Sequence, residues 1–167
     1  YSDIDKTSQI GVKVIDNKDF SSSTNTGTRI ITNYSSVTFK DDDTAKEILS
    51  YSGELDRQTI TVVEADTRGN ALHQTVLSEG YVEGSWTFSS MQDMTNDSID
   101  IHDMTGHSII KNYKSDVITS ANFTTLEDIT YTRYDKFGNV ESQNIKTYTD
   151  EIATTLKDYK EVVNTYK

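Results

Sequence analysis

The sequence predicts an all-β chain, repeated β-hairpins stacked in an elongated sheet or solenoid, with short helical turns in its connectors. Three observations predict it: stretches in which β-branched and aromatic residues alternate with polar ones, glycine turn signals in similar surroundings, and a chain of 167 residues without proline. At a typical ~5% frequency about eight prolines would be expected. Continuous backbone ladders, in which a missing N–H is costly, account for their absence.

The turn signals come first. Asp66-Thr67-Arg68-Gly69-Asn70, Asp103-Met104-Thr105-Gly106-His107 and Asp135-Lys136-Phe137-Gly138-Asn139 share Asp-x-x-Gly-[Asn/His], and Asn25-Thr26-Gly27-Thr28 is a degenerate fourth copy. Aspartate accepts hydrogen bonds from backbone N–H groups further round a turn, and glycine takes the left-handed conformation that closes it. Hairpin tips are therefore expected near 25–28, 66–70, 103–107 and 135–139, with Asp66, Gly69, Asn70, Asp103, Gly106, Asp135, Gly138 and Asn139 as structural turn residues.

Each tip is flanked by strand-like runs. Val12-Lys13-Val14, Thr59 to Val62, Ile99-Asp100-Ile101 and Ile129 to Tyr134 precede the four copies; Arg29 to Tyr34, Ala71 to Leu77, Ile109 to Tyr113 and Val140 to Tyr148 follow them. The connectors Lys40 to Leu49 and Asp150 to Lys157 are acidic early and basic late, which suits a helical turn. A longer helix over Ile152 to Val163 competes with turn-then-strand for the last segment.

The ends of the chain also resemble each other. Tyr1-Ser2-Asp3 leads to Val14-Ile15, and Tyr148-Thr149-Asp150 leads likewise to Val162-Val163. Residues 1–167 are therefore expected to form one repeat segment, a fragment of a longer array.

Composition narrows the function classes. A net charge of -11, from 16 basic and 27 acidic residues, argues against nucleic acid and against anionic membranes. No apolar run approaches the ~18 residues of a membrane span, and no signal-peptide pattern opens the chain. Without cysteine there is no disulfide, thiolate metal site or cysteine nucleophile.

Tyr134-Asp135-Lys136-Phe137-Gly138-Asn139-Val140 resembles the Tyr-Asp (YD) repeat of the RHS and teneurin-like families, whose units read Tyr-Asp, two variable residues, Gly-Asn or Gly-Arg, then a strand. Ala65 and His102 stand where the other two copies would carry the tyrosine. The resemblance implies a large secreted or cell-surface protein in which hairpins add to a spiralling sheet, as shell, scaffold wall or filament, without catalysis by the repeats. Partners would be neighbouring repeats of the same chain or other copies of it. The spacing of the tip glycines is longer than the family's, which favours an extended filament as much as a closed shell.

Candidate chemistry is sparse. His102 and His107 flank one expected tip and raise a metal site, although a third ligand such as Asp100 or Asp103 is needed. Asp41-Asp42-Asp43 with Glu47, and Asp93, Asp97, Asp100 and Asp103, gather carboxylates as calcium sites do, but neither group has EF-hand spacing. No cofactor is expected, calcium being the one candidate. No pair among 27 acidic residues stands out as a glycosidase acid and base, and no serine sits in a Gly-x-Ser-x-Gly elbow. Trp86 and Tyr81 are the candidate ligand-binding residues of an alternative reading, an adhesin for glycan or protein.

Overall fold

The structure, a computed structural model, describes residues 6–8, 11–39 and 48–166. Among the described residues ten strands form one sheet: β1 (Lys6–Ser8), β2 (Val12–Ser21), β3 (Thr26–Phe39), β4 (Ile48–Ala65), β5 (Ala71–Val82), β6 (Ser85–Asp97), β7 (His107–Tyr113), β8 (Phe123–Tyr134), β9 (Val140–Tyr148) and β10 (Leu156–Val163). From β2 to β10 each strand pairs antiparallel with the next in sequence, while β1 pairs the far part of β3. Among the described residues β10 pairs only β9, so the sheet is open. It is an open sheet in place of a solenoid.

The elements follow from the sequence pattern. Directly paired residues share a face, so the registers define rows running across the sheet. One row reads Thr28, Thr61, Thr75, Asp93, Lys111, Leu126, Tyr148. On the other face a row reads Arg29, Ile60, Val76, Gln92, Asn112, Thr125. Both faces mix apolar and polar side chains, and every substantial strand contact is between sheet neighbours. Among the described residues the buried apolar side chains, Val37, Met91, Tyr113, Leu126 and Ile129, are consequently few.

No described connector is helical. Asp150 to Thr155 is a tight turn, with Ala153 at a φ of 55°, in place of the expected helical turn; the strand expected after it is β10, and the competing longer helix over Ile152 to Val163 does not form. The Asp150 carboxylate takes up the N–H groups that a helix would have turned along its axis, and Leu156 to Val163 finds ladder partners on β9. Residues 40–47 of the other connector lie outside the described residues; Ile48 and Leu49 begin β4.

The tips differ in detail from the sequence pattern. The first is at 22–25, with Gly27 already inside β3. The second and fourth are at 66–70 and 135–139. The third is a longer loop over 98–106, so Ile99 to Ile101 is loop and not strand. A further hairpin turns on Glu83 and Gly84, both at positive φ (50° and 84°), the geometry of a two-residue turn whose twist matches its strands.

Candidate functional site

Each of four turns is organised by one aspartate. Asp66 Oδ1 accepts from the backbone N–H of Arg68 and of Asn70 (both 2.9 Å), and Oδ2 from the Asn70 side chain (3.0 Å). Asp135 repeats this with Phe137 (2.8 Å) and Asn139 (2.9 Å to N–H, 2.9 Å to the side chain). Asp100 accepts from His102 (2.8 Å) and Met104 (3.0 Å), and Asp150 from Ile152 (3.2 Å), Thr154 (2.9 Å) and Thr155 (2.6 Å).

The residue three after each aspartate is left-handed: Gly69 at 94°, Asp103 at 63°, Gly138 at 83° and Ala153 at 55°. Asp103 therefore occupies the glycine position, and the third copy is Asp100-Ile101-His102-Asp103-Met104. The assignment of Asp103 and Gly106 as the first and fourth turn residues is corrected by three positions. Asparagine and aspartate tolerate the left-handed region, which is why a copy without glycine escapes a glycine-based pattern. Gly106 has another role: a Cβ there would lie 2.9 Å from both Cβ and O of Ser98, so it permits a close backbone approach.

These bonds stabilise the ionised carboxylates. The Asn70 side chain and the turn N–H groups hold Asp66 down at about 2. The Thr154 N–H, followed by those of Thr155, does the same for Asp150, also about 2. Asp135 and Asp100 are lowered chiefly by the Asn139 side chain and by the Met104 N–H respectively.

Tips at one end of the sheet are tied to one another. Asn25 Nδ2 donates to Asp66 O (3.4 Å). Arg68 Nη1 donates to Asp100 O (2.6 Å) and lies 2.8 Å from Asp103 Oδ1, which also accepts from Asn70 Nδ2 (2.8 Å). The hydroxyl of Tyr134, the tyrosine of Tyr-Asp, donates to Thr105 O of the preceding loop. That hydroxyl is a strut between successive tips.

Trp86 and Tyr81 are directly paired across β5 and β6, edge to face at 4.9 Å. The Arg57 guanidinium lies over the Trp86 ring at 4.5 Å and is held by Glu79 at 2.6 and 3.1 Å. One face of the indole is thus already occupied by a fixed cation. Further aromatic pairs are Tyr34 on Tyr51, Tyr113 against Phe123 and Tyr131 beside Tyr134.

His107 is clamped between strands. Its Nδ1 lies 2.9 Å from Asp97 Oδ2 on β6 and its Nε2 3.0 Å from Asp128 Oδ1 on β8. Ionised carboxylates only accept, so this geometry favours a ring protonated on both nitrogens. The Asp97 hydrogen bond chiefly raises the His107 pKa and burial opposes it; Asp97 is lowered in turn, chiefly by its bond to His107. With both nitrogens engaged, the ring has neither a base nor a metal-ligating lone pair to offer. His102 instead gives its backbone N–H to Asp100. Among the described residues no three His, Cys, Asp or Glu side chains are grouped to hold a metal ion.

Comparison with protein-family models, curated proteins and solved structures finds no match to this chain. The chemistry of the site is read from its residues alone. Sequence reasoning missed Asp100, Asp150 and the Asp97-His107-Asp128 clamp. The first two escaped because Asp103 and Ala153 stand at the left-handed position where the other copies carry glycine. The clamp needs the register of three strands and had none.

Proposed function

We propose that this chain is a non-catalytic structural repeat segment of a large secreted or cell-surface scaffold, shell or filament protein. The observation that carries the reading is the recurrence of one carboxylate-organised turn at Asp66, Asp100, Asp135 and Asp150 along a single sheet. Tip-to-tip bonds through Arg68, Asn70 and Tyr134 fit units that gain stability by leaning on their neighbours. Two strands alone bury too little apolar surface to be stable in water, so each hairpin depends on the next. The Tyr134-Asp135 turn supports the likeness to Tyr-Asp repeats, and with it the secreted or surface setting. Neighbouring repeats, or other copies of the chain, are its partners.

The test is a binding screen of the chain against glycan arrays and surface proteins, with Trp86→Ala and Tyr81→Ala in parallel. A structural segment captures nothing that depends on these aromatics. A ligand retained by the wild type and lost on Trp86→Ala would establish the adhesin instead.

A further inference from the structure

One groove at the first tip is unlike its surroundings in charge. It lies on the face that carries Asn17, Arg29 and Ile60 in one row and Gly27, Val62 and Gln74 in the next. Its volume is about 380 Å³, within the range of small-molecule sites. Ile60 and Val62 give it an apolar lining, and Phe20 stands at its side.

A bulge puts Phe20 there. The ladder of β2 on β3 is interrupted between Lys18 and Ser21, so that Asp19, left-handed at a φ of 52°, and Phe20 together stand opposite Gly27. A Cβ on Gly27 would lie 2.8 Å from the Phe20 Cα, so the close approach of this bulge needs glycine there. Bulges re-aim side chains. This one leaves Phe20 64% exposed at the groove.

Among the described residues no carboxylate lines this groove, although 27 of the 167 residues are acidic. Its two neighbours at the same end of the sheet are both lined by Glu64 and Asp66, and one of them by Asp97 as well. The arginines divide in the same way. Arg57 is held by Glu79, Arg68 by Asp66 and Asp103, and Arg133 by Glu141. Among the described residues Arg29 alone has no carboxylate partner; its Nε donates to Asn17 Oδ1 (3.1 Å), and its two terminal nitrogens are left to the groove. A guanidinium presented in this way grips a carboxylate through two parallel hydrogen bonds.

We propose that this groove binds a small aromatic monocarboxylate, with the carboxylate on Arg29 and the ring against Phe20, Ile60 and Val62. Charge complementarity selects the head group, the one free cation in a carboxylate-free recess of an acidic chain. Length selects the body: Arg29 and Gly27 are two strand positions apart, ~7 Å, which suits one or two fused rings and not an extended alkyl chain. Phenylalanine receives such a ring offset or edge to face. This ligand is additional to the structural role above and does not depend on it.

The test is a titration of the isotope-labelled chain with naphthoate and, in parallel, with its neutral amide, read by backbone amide chemical shifts. For naphthoate the shifts should concentrate at Asn17, Phe20, Gly27, Arg29, Ile60 and Val62, with a dissociation constant on the order of 1 mM for a ligand this small. The amide should bind about tenfold more weakly, because it lacks the charge that Arg29 meets. Arg29→Gln should weaken naphthoate about tenfold and leave the amide unchanged, whereas Phe20→Ala should weaken both. Arg133→Gln, on β8 and away from the groove, should change neither, which separates Arg29 from a general loss of positive charge. No naphthoate shifts below about 10 mM, shifts spread over the other face of the sheet, or wild-type affinity in Arg29→Gln would overturn the assignment. Each of these leaves the structural reading in place, whereas capture of a Trp86-dependent ligand would remove that reading and leave this groove.

Discussion

Reciprocal substitutions at the left-handed turn position isolate the turn's contribution from everything else. Gly138 has a φ of 83° and a Cβ there would meet nothing within 4 Å, so Gly138→Ala adds backbone strain and no clash. Ala153 already sits at 55° in the equivalent place, so Ala153→Gly removes that strain. A left-handed L-residue costs ~1–2 kcal/mol. Glycine loses ~0.5–1 kcal/mol more conformational freedom on folding, which offsets part of this. The net expectation is ~0.5–1 kcal/mol of destabilisation for Gly138→Ala and a similar stabilisation for Ala153→Gly. In urea unfolding followed by circular dichroism, with a slope of ~2 kcal/mol per M, the midpoints move by roughly 0.3 M in opposite directions. Gly80→Ala is the control: its backbone is not left-handed and the space is open, so its midpoint stays level or rises. If Ala153→Gly lowers the midpoint, or Gly138→Ala leaves it unmoved, the common turn geometry is wrong.

Three further outcomes are expected. Gly106→Ala drives a Cβ to 2.9 Å from the Ser98 backbone and should cost ~1–3 kcal/mol in the same unfolding assay. The His107 clamp makes stability depend on pH. Its raised imidazole contributes fully below the unfolded value of ~6.5, and that contribution is lost as pH rises through the folded value. Lowered Asp97 acts the other way, its contribution being present above its unfolded value and lost as pH falls through the folded one. With Asp97 64% exposed the two pairs are worth about 1 kcal/mol after solvent screening, and His107→Gln should flatten the neutral-to-alkaline decline in a pH series of urea midpoints. Arg57→Lys keeps the charge but loses the two-pronged grip on Glu79, and should shift Trp86 fluorescence to the red as water reaches the ring.

The class of the fold was legible because period-two alternation survives in Thr59 to Val62 and Ile129 to Tyr134, each of which runs within a strand. Asp66 and Asp135 were legible because each is followed by glycine at the position that needs it. The third turn was misread for a physical reason: Asp103 can adopt the left-handed conformation, so Asp100 anchors a turn in which the expected glycine is absent, while Gly106 serves the approach to Ser98. Asp150 with Ala153 was read as a helix start for the same reason, since an early aspartate stabilises a helix N-terminus as well as a turn. The His107 clamp and the Arg57 stack depend on cross-strand register, which loop length sets and local sequence does not display.

A sheet one layer thick has no interior to protect, so its stability has to be lateral. Each central strand covers, and is covered by, the long side chains of the two beside it: Leu77 by Met91, Met91 by Tyr113, Lys111 by Leu126. Rows of this kind have no natural end. Removing an outer strand uncovers its single neighbour, and adding one covers the last row without any rearrangement of a core. At β10 the last row leaves Leu156, Tyr159 and Val163 largely exposed. The thinness that leaves no enclosed core here is what makes lateral extension of such a sheet inexpensive.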